Sequence, residues 1–263
     1  MNFREKVLSG SPLDEIKIHD CHNHLGRWKA FYVPGDGTAD QMIANMDRVG
    51  IDTVFATAHA SIGPDFIYGN DMVREACEQH PDRFWGYITV NPNYEDGLMP
   101  EVLRCLEHPG FRGIKVHADC HGCAIENPAY DPVYEYADDH KMIVLSHVWG
   151  AGQVAQIDRL SARFPNIRWI MGHSGADIPG LTYAMDLVNK RPNVYGDTAL
   201  STALQGNIEW LVREADPKKI LFGSDMPFYS PMFTVGRIAM AEIPDEIKID
   251  ILGKNLECLM QNR

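Results

Sequence analysis

The chain has 263 residues, between one domain and two at the usual ~150 residues each. At 45% hydrophobic and 23% charged it has enough apolar content for a large core, which argues against disorder. Against 24 Lys and Arg stand 36 Asp and Glu, and the net charge of −12 gives no electrostatic reason to bind phosphate backbones or anionic membranes.

In chain order, the first 13 residues carry Arg4, Glu5 and Lys6 but no apolar stretch, unlike a secretory signal. Eight short apolar runs then alternate with helix-like segments. The strand candidates are Ile16–Asp20, Ile51–Ala58, Phe84–Val90, Phe111–His117, Met142–His147, Ile167–Gly172, Asn193–Asp197 and Ile220–Gly223. Between them lie amphipathic stretches such as Thr38–Val49, Asn70–His80, Glu101–Glu107, Gln153–Phe164 and Ile208–Glu214. Runs apolar almost throughout are expected when helices cover both faces of a parallel sheet. The longest uncharged run, Met142–Ile157, is too short and too polar for a membrane span of ~20 residues. Cys21, Cys77, Cys105, Cys120, Cys123 and Cys258 are scattered and read as reduced thiols, so the expected location is the cytoplasm.

This pattern predicts an α/β fold, a (β/α)8 TIM barrel, as one domain over residues 1–263 with the barrel starting near residue 16. Ile243–Arg263 reads as a C-terminal helical extension on the outside. A doubly wound open sheet is the competing architecture, but no G-x-G-x-x-G turn follows the first strand.

The histidines sort by position. His80, His108 and His140 sit at helix ends, where they meet free carbonyls. His19 is out of phase with His22 and His24 and is expected to face the helix layer, and His121 falls in an exposed loop. His22, His24, His59, His117, His147 and His173 lie at or just past strand C-termini, with Asp225 at the matching place after strand eight. Those ends form the active-site face of a barrel. His22 and His24 are two apart, so in a strand both rings reach one side. An H-x-H pair alone is as easily structural. Joined to His147, His173 and Asp225 it points to a divalent metal, for which Zn²⁺ suits nitrogen and carboxylate ligands best, with Fe²⁺, Mn²⁺ or Co²⁺ as alternatives.

The ordered set Asp20-Cys21-His22-Asn23-His24, Gly113-Ile114-Lys115-Val116-His117, Ser146-His147, Gly172-His173-Ser174-Gly175, Asn193-Val194-Tyr195-Gly196-Asp197-Thr198, Leu221-Phe222-Gly223-Ser224-Asp225-Met226-Pro227 and Leu252-Gly253-Lys254-Asn255-Leu256 resembles the amidohydrolase superfamily. The resemblance is to its amidohydrolase-2 branch, similar to aminocarboxymuconate-semialdehyde decarboxylase. It implies His22, His24, His147 and Asp225 as metal ligands, with Asp225 and His173 catalytic and Asp20 supporting the ligands from behind. Lys115 is a carboxylated lysine bridging two metals, a contact for a substrate anion, or a lysine tied to a neighbouring carboxylate inside the barrel. The closer relatives favour the second, and with it one metal per chain over two.

His117, Trp149 and Arg27 are candidate substrate contacts, and packing or surface placement is the plain alternative for Trp149 and Arg27. Cys120-His121-Gly122-Cys123 lacks a second pair and reads as a loop without chemistry. The expected activity is metal-dependent hydrolysis of an amide, lactam, lactone or ester in a small polar, anionic substrate. Decarboxylation of an aromatic or unsaturated acid is the alternative, and a catalytically silent metal-binding barrel the minor one. The expected partner is a small molecule, with a homo-oligomer as a further expectation because relatives are often dimers or larger.

Overall fold

The structure, a computed structural model, describes residues 2–28, 35–199 and 204–261. Eight strands pair in sequence order: β1 His19–Leu25, β2 Thr53–Ala58, β3 Phe84–Thr89, β4 Phe111–Val116, β5 Ile143–Trp149, β6 Arg168–Gly175, β7 Val194–Asp197 and β8 Ile220–Leu221. Every pairing from β1–β2 to β7–β8 is parallel. The sheet curls back on itself, because the Cys21 N–H donates to the Phe222 carbonyl (2.9 Å) and the His24 N–H to the Met226 carbonyl (2.8 Å). This is the eight-stranded barrel that the alternating pattern predicts.

Strand periodicity divides the core in two. Cys21, Phe55, Tyr87, Ile143, Leu145, Ile170 and Leu221 fill the barrel interior. Their neighbours Val54, Ala56, Ile114, Val144 and Met171 belong to the outer core with helix residues such as Met42, Met46, Val73 and Ile157. Helix Ala39–Val49 shows the local logic: Thr38 caps its start by accepting the Gln41 N–H, and Gly50 at φ 87° ends it. Among the described residues no helix is long and apolar enough to cross a membrane.

Two sequence expectations change. β1 runs on to Leu25 rather than stopping at Asp20, because the polar residues that break its apolar run are the site residues themselves. The C-terminal extension does not lie on the outside. Helix Asp245–Ile249, a π turn at Asp250–Lys254 and helix Asn255–Gln261 cross the N-terminal end of the barrel. There Leu256 and Leu259 join the interior cluster, and Asn255 Nδ2 donates to the carbonyls of Pro217 and Ile220. His19 belongs to this closed end: its ring stacks on Trp85 at 5.8 Å and its Nε2 lies 3.0 Å from Glu257.

Candidate metal centre

The centre forms where β1 meets the segment after β8. β1 carries a bulge between Asp20 and Asn23. An extra residue in a strand lets two consecutive side chains face the same way. Cys21 thus packs in the interior cluster while His22 reaches Lys115 at the mouth. Asp225 arrives from the opposite end of the chain, its N–H donating to the His22 carbonyl at 2.9 Å. Its φ of 58° lies in the left-handed region that L-residues seldom adopt.

Ligand atoms of His22, His24 and Asp225 all lie within 4.8 Å of one another. His24 Nε2 is 3.3 Å and His22 Nε2 3.9 Å from Asp225 Oδ1. Ligands about 2.1 Å from a tetrahedral ion stand roughly 3.4 Å apart, so this spacing fits a divalent cation. Among the described residues, Asp225 Oδ1 is buried without a hydrogen-bond partner. A cation supplies the partner such an oxygen lacks.

Behind the ligands stands Asp197 at the end of β7, fully buried. Its Oδ2 lies 2.8 Å from His22 Nδ1, and its Oδ1 accepts the N–H groups of His173 (2.7 Å) and Ala199 (3.2 Å). Lys115, also fully buried, donates from Nζ to His22 Nε2 at 2.9 Å. His173 has φ 64°, donates from Nδ1 to the Ala199 carbonyl, and places its ring 4.9 Å from that of His22. Asp20 Oδ1 accepts the N–H groups of Ser224 (3.0 Å) and His22 (3.2 Å), tying the first strand to the segment after the last.

A cavity of about 330 Å³ opens over the centre, lined by His24, His117, Cys120, His147, His173 and Asp225 and walled by Trp28, Ile62, Trp149, Phe228 and Tyr229. His147 is near the three clustered ligands but outside their set. Its Nε2 pairs with Asp119 at 3.2 Å, and its ring stacks on His117 at 4.0 Å. His117 accepts the Cys120 N–H at Nδ1, and Cys120 Sγ sits 3.6 Å from its Nε2. Trp149 is 41% exposed at the rim. Arg27 does not face this cavity: its guanidinium is paired with Asp36 at the surface.

Of the other histidines, His121 departs from its expected place and His59 keeps its own, just past the end of β2. His121 is buried rather than exposed, with Nε2 3.3 Å from the Ser61 carbonyl. His59 turns Nδ1 to the Gly26 carbonyl and stacks on His24 at 4.9 Å. Asp197, Asp119 and Cys120 take places that the sequence reading assigns to no site. Asp197 was findable by the rule that found Asp225, a polar residue at a strand's C-terminal end. Asp119 and Cys120 sit in a loop helix, where no periodicity marks them.

Burial is the main electrostatic influence. It pushes His24 down to about 3, His173 and His59 to about 4, and His22 and His117 well below the usual imidazole range. Neutral imidazoles have the lone pair a cation needs. Burial alone would raise Asp225, but His24, His173 and Lys115 outweigh it and hold the carboxylate at about 2. Burial raises Asp197 and Asp20 above the usual carboxylate range, against the backbone N–H groups that favour their ionised forms, and it lowers Lys115 to about 8 against the pull of Asp225 and Asp197.

Comparison with known proteins identifies the family and the fold. The model of the amidohydrolase family matches residues 19–255. The chain is 21% identical over 230 residues to a 2-amino-3-carboxymuconate-6-semialdehyde decarboxylase of Dictyostelium discoideum, covering 72% of this chain and 64% of that protein. It is 22% identical over 213 residues to a gamma-resorcylate decarboxylase of Rhodococcus jostii, covering 60% and 65%. A 2-keto-4-carboxy-3-hexenedioate hydratase of Sphingobium matches at 25% identity over 195 residues, covering 60% and 57%. The chain thus spans less than two thirds of the length of these curated relatives. Among solved structures, 2,6-dihydroxybenzoate decarboxylase from Rhizobium superposes with a TM-score of 0.77 at 18% identity, over 94% of this chain and 99% of that one.

Proposed function

The chain belongs to the amidohydrolase family, and from that premise we propose that it is a metal-dependent enzyme that releases CO2 from a small aromatic or unsaturated carboxylic acid. The observation that carries the proposal is Lys115, a fully buried cation whose Nζ donates to His22 Nε2 at 2.9 Å, beside the candidate ion ligands. That nitrogen has a single lone pair. With an ion held by His22, His24 and Asp225 that lone pair would be taken, and the Lys115 N–H would be left to an anion. Trp149 and Phe228 on the walls suit a flat, unsaturated body. The names of two curated relatives, both decarboxylases, support this reading over hydrolysis.

The ion proposed is one Zn²⁺ or similar divalent cation per chain, which His22, His24 and Asp225 would hold, and His147 would have to leave Asp119 to serve as a fourth ligand. When bound, it supplies a Lewis acid that polarises a substrate oxygen. The protein's own groups do the rest. Lys115 fixes the substrate carboxylate, and the aromatic walls exclude water. Breaking the bond to the carboxylate carbon releases CO2 and leaves the electron pair on the substrate carbon. That carbon takes a proton, which would be carried at the Asp225 oxygen not held by the ion or at His173 Nε2, the nitrogen left over once Nδ1 has donated to Ala199.

The test is a panel assay of protein reconstituted with Zn²⁺ or Mn²⁺. Aromatic and unsaturated mono- and dicarboxylic acids are scored for CO2, and amides, lactams, lactones and esters for hydrolysis. CO2 release that depends on added metal is the expected outcome. Hydrolysis without CO2, or addition of water across a double bond, overturns the proposal.

A further inference from the structure

We propose that Asp197 is the positioning residue of the centre: it sets the His22 tautomer that can bind an ion and holds His173 in place beside it. The inference rests on reading His22, His24 and Asp225 as ion ligands, and extends it to a carboxylate contributed by a different strand.

A neutral imidazole carries one proton, and only the bare nitrogen can ligate. Two contacts fix which one is bare here. The Lys115 ammonium can only donate, so its 2.9 Å contact makes Nε2 of His22 the acceptor. The ring proton then sits on Nδ1, and Asp197 Oδ2 at 2.8 Å accepts it. Nε2 is the nitrogen that faces Asp225 Oδ1. A carboxylate behind a ligating histidine orients the ring and raises its basicity.

The surroundings are cut to fit this pair. A Cβ on Gly172 would come within 2.9 Å of His22 Cε1, and one on Gly223 within 3.1 Å of His22 Cβ and 3.2 Å of Asp197 Oδ2. The other oxygen of Asp197 is committed to backbone: it accepts the His173 and Ala199 N–H groups, and the Asp197 carbonyl accepts the Ser174 hydroxyl at 2.6 Å. These bonds secure His173 and Ser174 at φ 64° and 47°, a conformation the local sequence does not favour. One side chain thus places a ligand from β1 and a histidine from β6.

Asp197→Asn is the informative change because it keeps the shape. With its oxygen retained by the two backbone N–H groups, the amide nitrogen must face His22 Nδ1 and donate to it. The ring proton then moves to Nε2, where it blocks the ligand position. Nitrogen-15 NMR of the metal-free protein reads the tautomer directly, and competition with a chelator reads Zn²⁺ affinity without any substrate. We expect a bare Nε2 on His22 in the wild type, a protonated Nε2 in Asp197→Asn, and a loss of Zn²⁺ affinity of about 10- to 100-fold. A protonated Nε2 in the wild type overturns the inference even if the variant does not fold, as does wild-type affinity in a folded variant. No Zn²⁺ uptake by the wild type overturns the ion reading itself, and is seen without the variant.

Discussion

At Asp225, backbone and side chain make separate demands. The residue sits at φ 58°, a conformation that Asn and Asp tolerate better than other L-residues. Asp225→Asn therefore keeps the backbone and one oxygen while removing the base. Turnover should fall by at least ~10²-fold, the usual scale for losing an acid–base group, with the melting temperature little changed. Unaltered kinetics on any accepted substrate would show the role to be wrong. Lys115 separates two chemistries. As an anchor for a carboxylate, its loss in Lys115→Ala should raise KM by roughly 10- to 100-fold, matching about 1.5–3 kcal/mol for a hydrogen bond to a charged group. Metal content measured by elemental analysis should stay near one equivalent. A fall from two equivalents to one would instead identify Lys115 as a carboxylated bridge between two ions.

Among the elements, the segment Asp250–Lys254 has a demanding position, because it passes directly beneath β1. A Cβ on Gly253 would come within 2.2 Å of the Lys17 carbonyl oxygen, a backbone atom with little room to retreat. Gly253→Ala should cost about 1–3 kcal/mol as the segment is pushed off the barrel. Calorimetry should record a drop of about 2–4 °C for each kcal/mol. Since the site lies at the opposite end of the strands, metal content should not change, and a loss of metal would mean that the closed end controls the mouth. This element also shows what the sequence could reveal. Its helical character was legible, but its place was not, because Leu256 and Leu259 look the same whether they pack on a helix layer or plug a barrel. Strand positions were legible because burial on both faces writes continuous apolar runs. β1 was cut short because function replaces apolar residues with polar ones along its last turns. His22, His24 and Asp225 were legible from strand-end placement. Asp197 obeys the same rule, yet its partner His22 is 175 residues away, and a hydrogen bond over that separation leaves no local pattern.

For the molecule as a whole, the site is also the seam of the barrel. β8 is two residues long, and β1 is joined beyond it by single backbone hydrogen bonds from Cys21, His24 and Asp225. An ion shared by His22 and His24 on one side and Asp225 on the other would fasten the first strand to the last. A ligand that binds only the folded chain stabilises it by RT ln(1 + [L]/Kd), about 2.7 kcal/mol at a hundredfold excess over Kd. Stripping with a chelator should therefore lower the melting temperature by roughly 5–10 °C, at the usual 2–4 °C per kcal/mol for a chain of this size. Zn²⁺ should restore it in a concentration-dependent way. The net charge of −12 gives divalent cations a general attraction to the surface, so the control must remove the site and keep the charge. His22→Ala combined with His24→Ala does so, because both rings are neutral, and its melting temperature should not respond to chelator or to Zn²⁺. If the wild type loses its metal and melts at the same temperature as before, the ion is not what holds the seam, and the backbone bonds of β1 to the segment after β8 suffice.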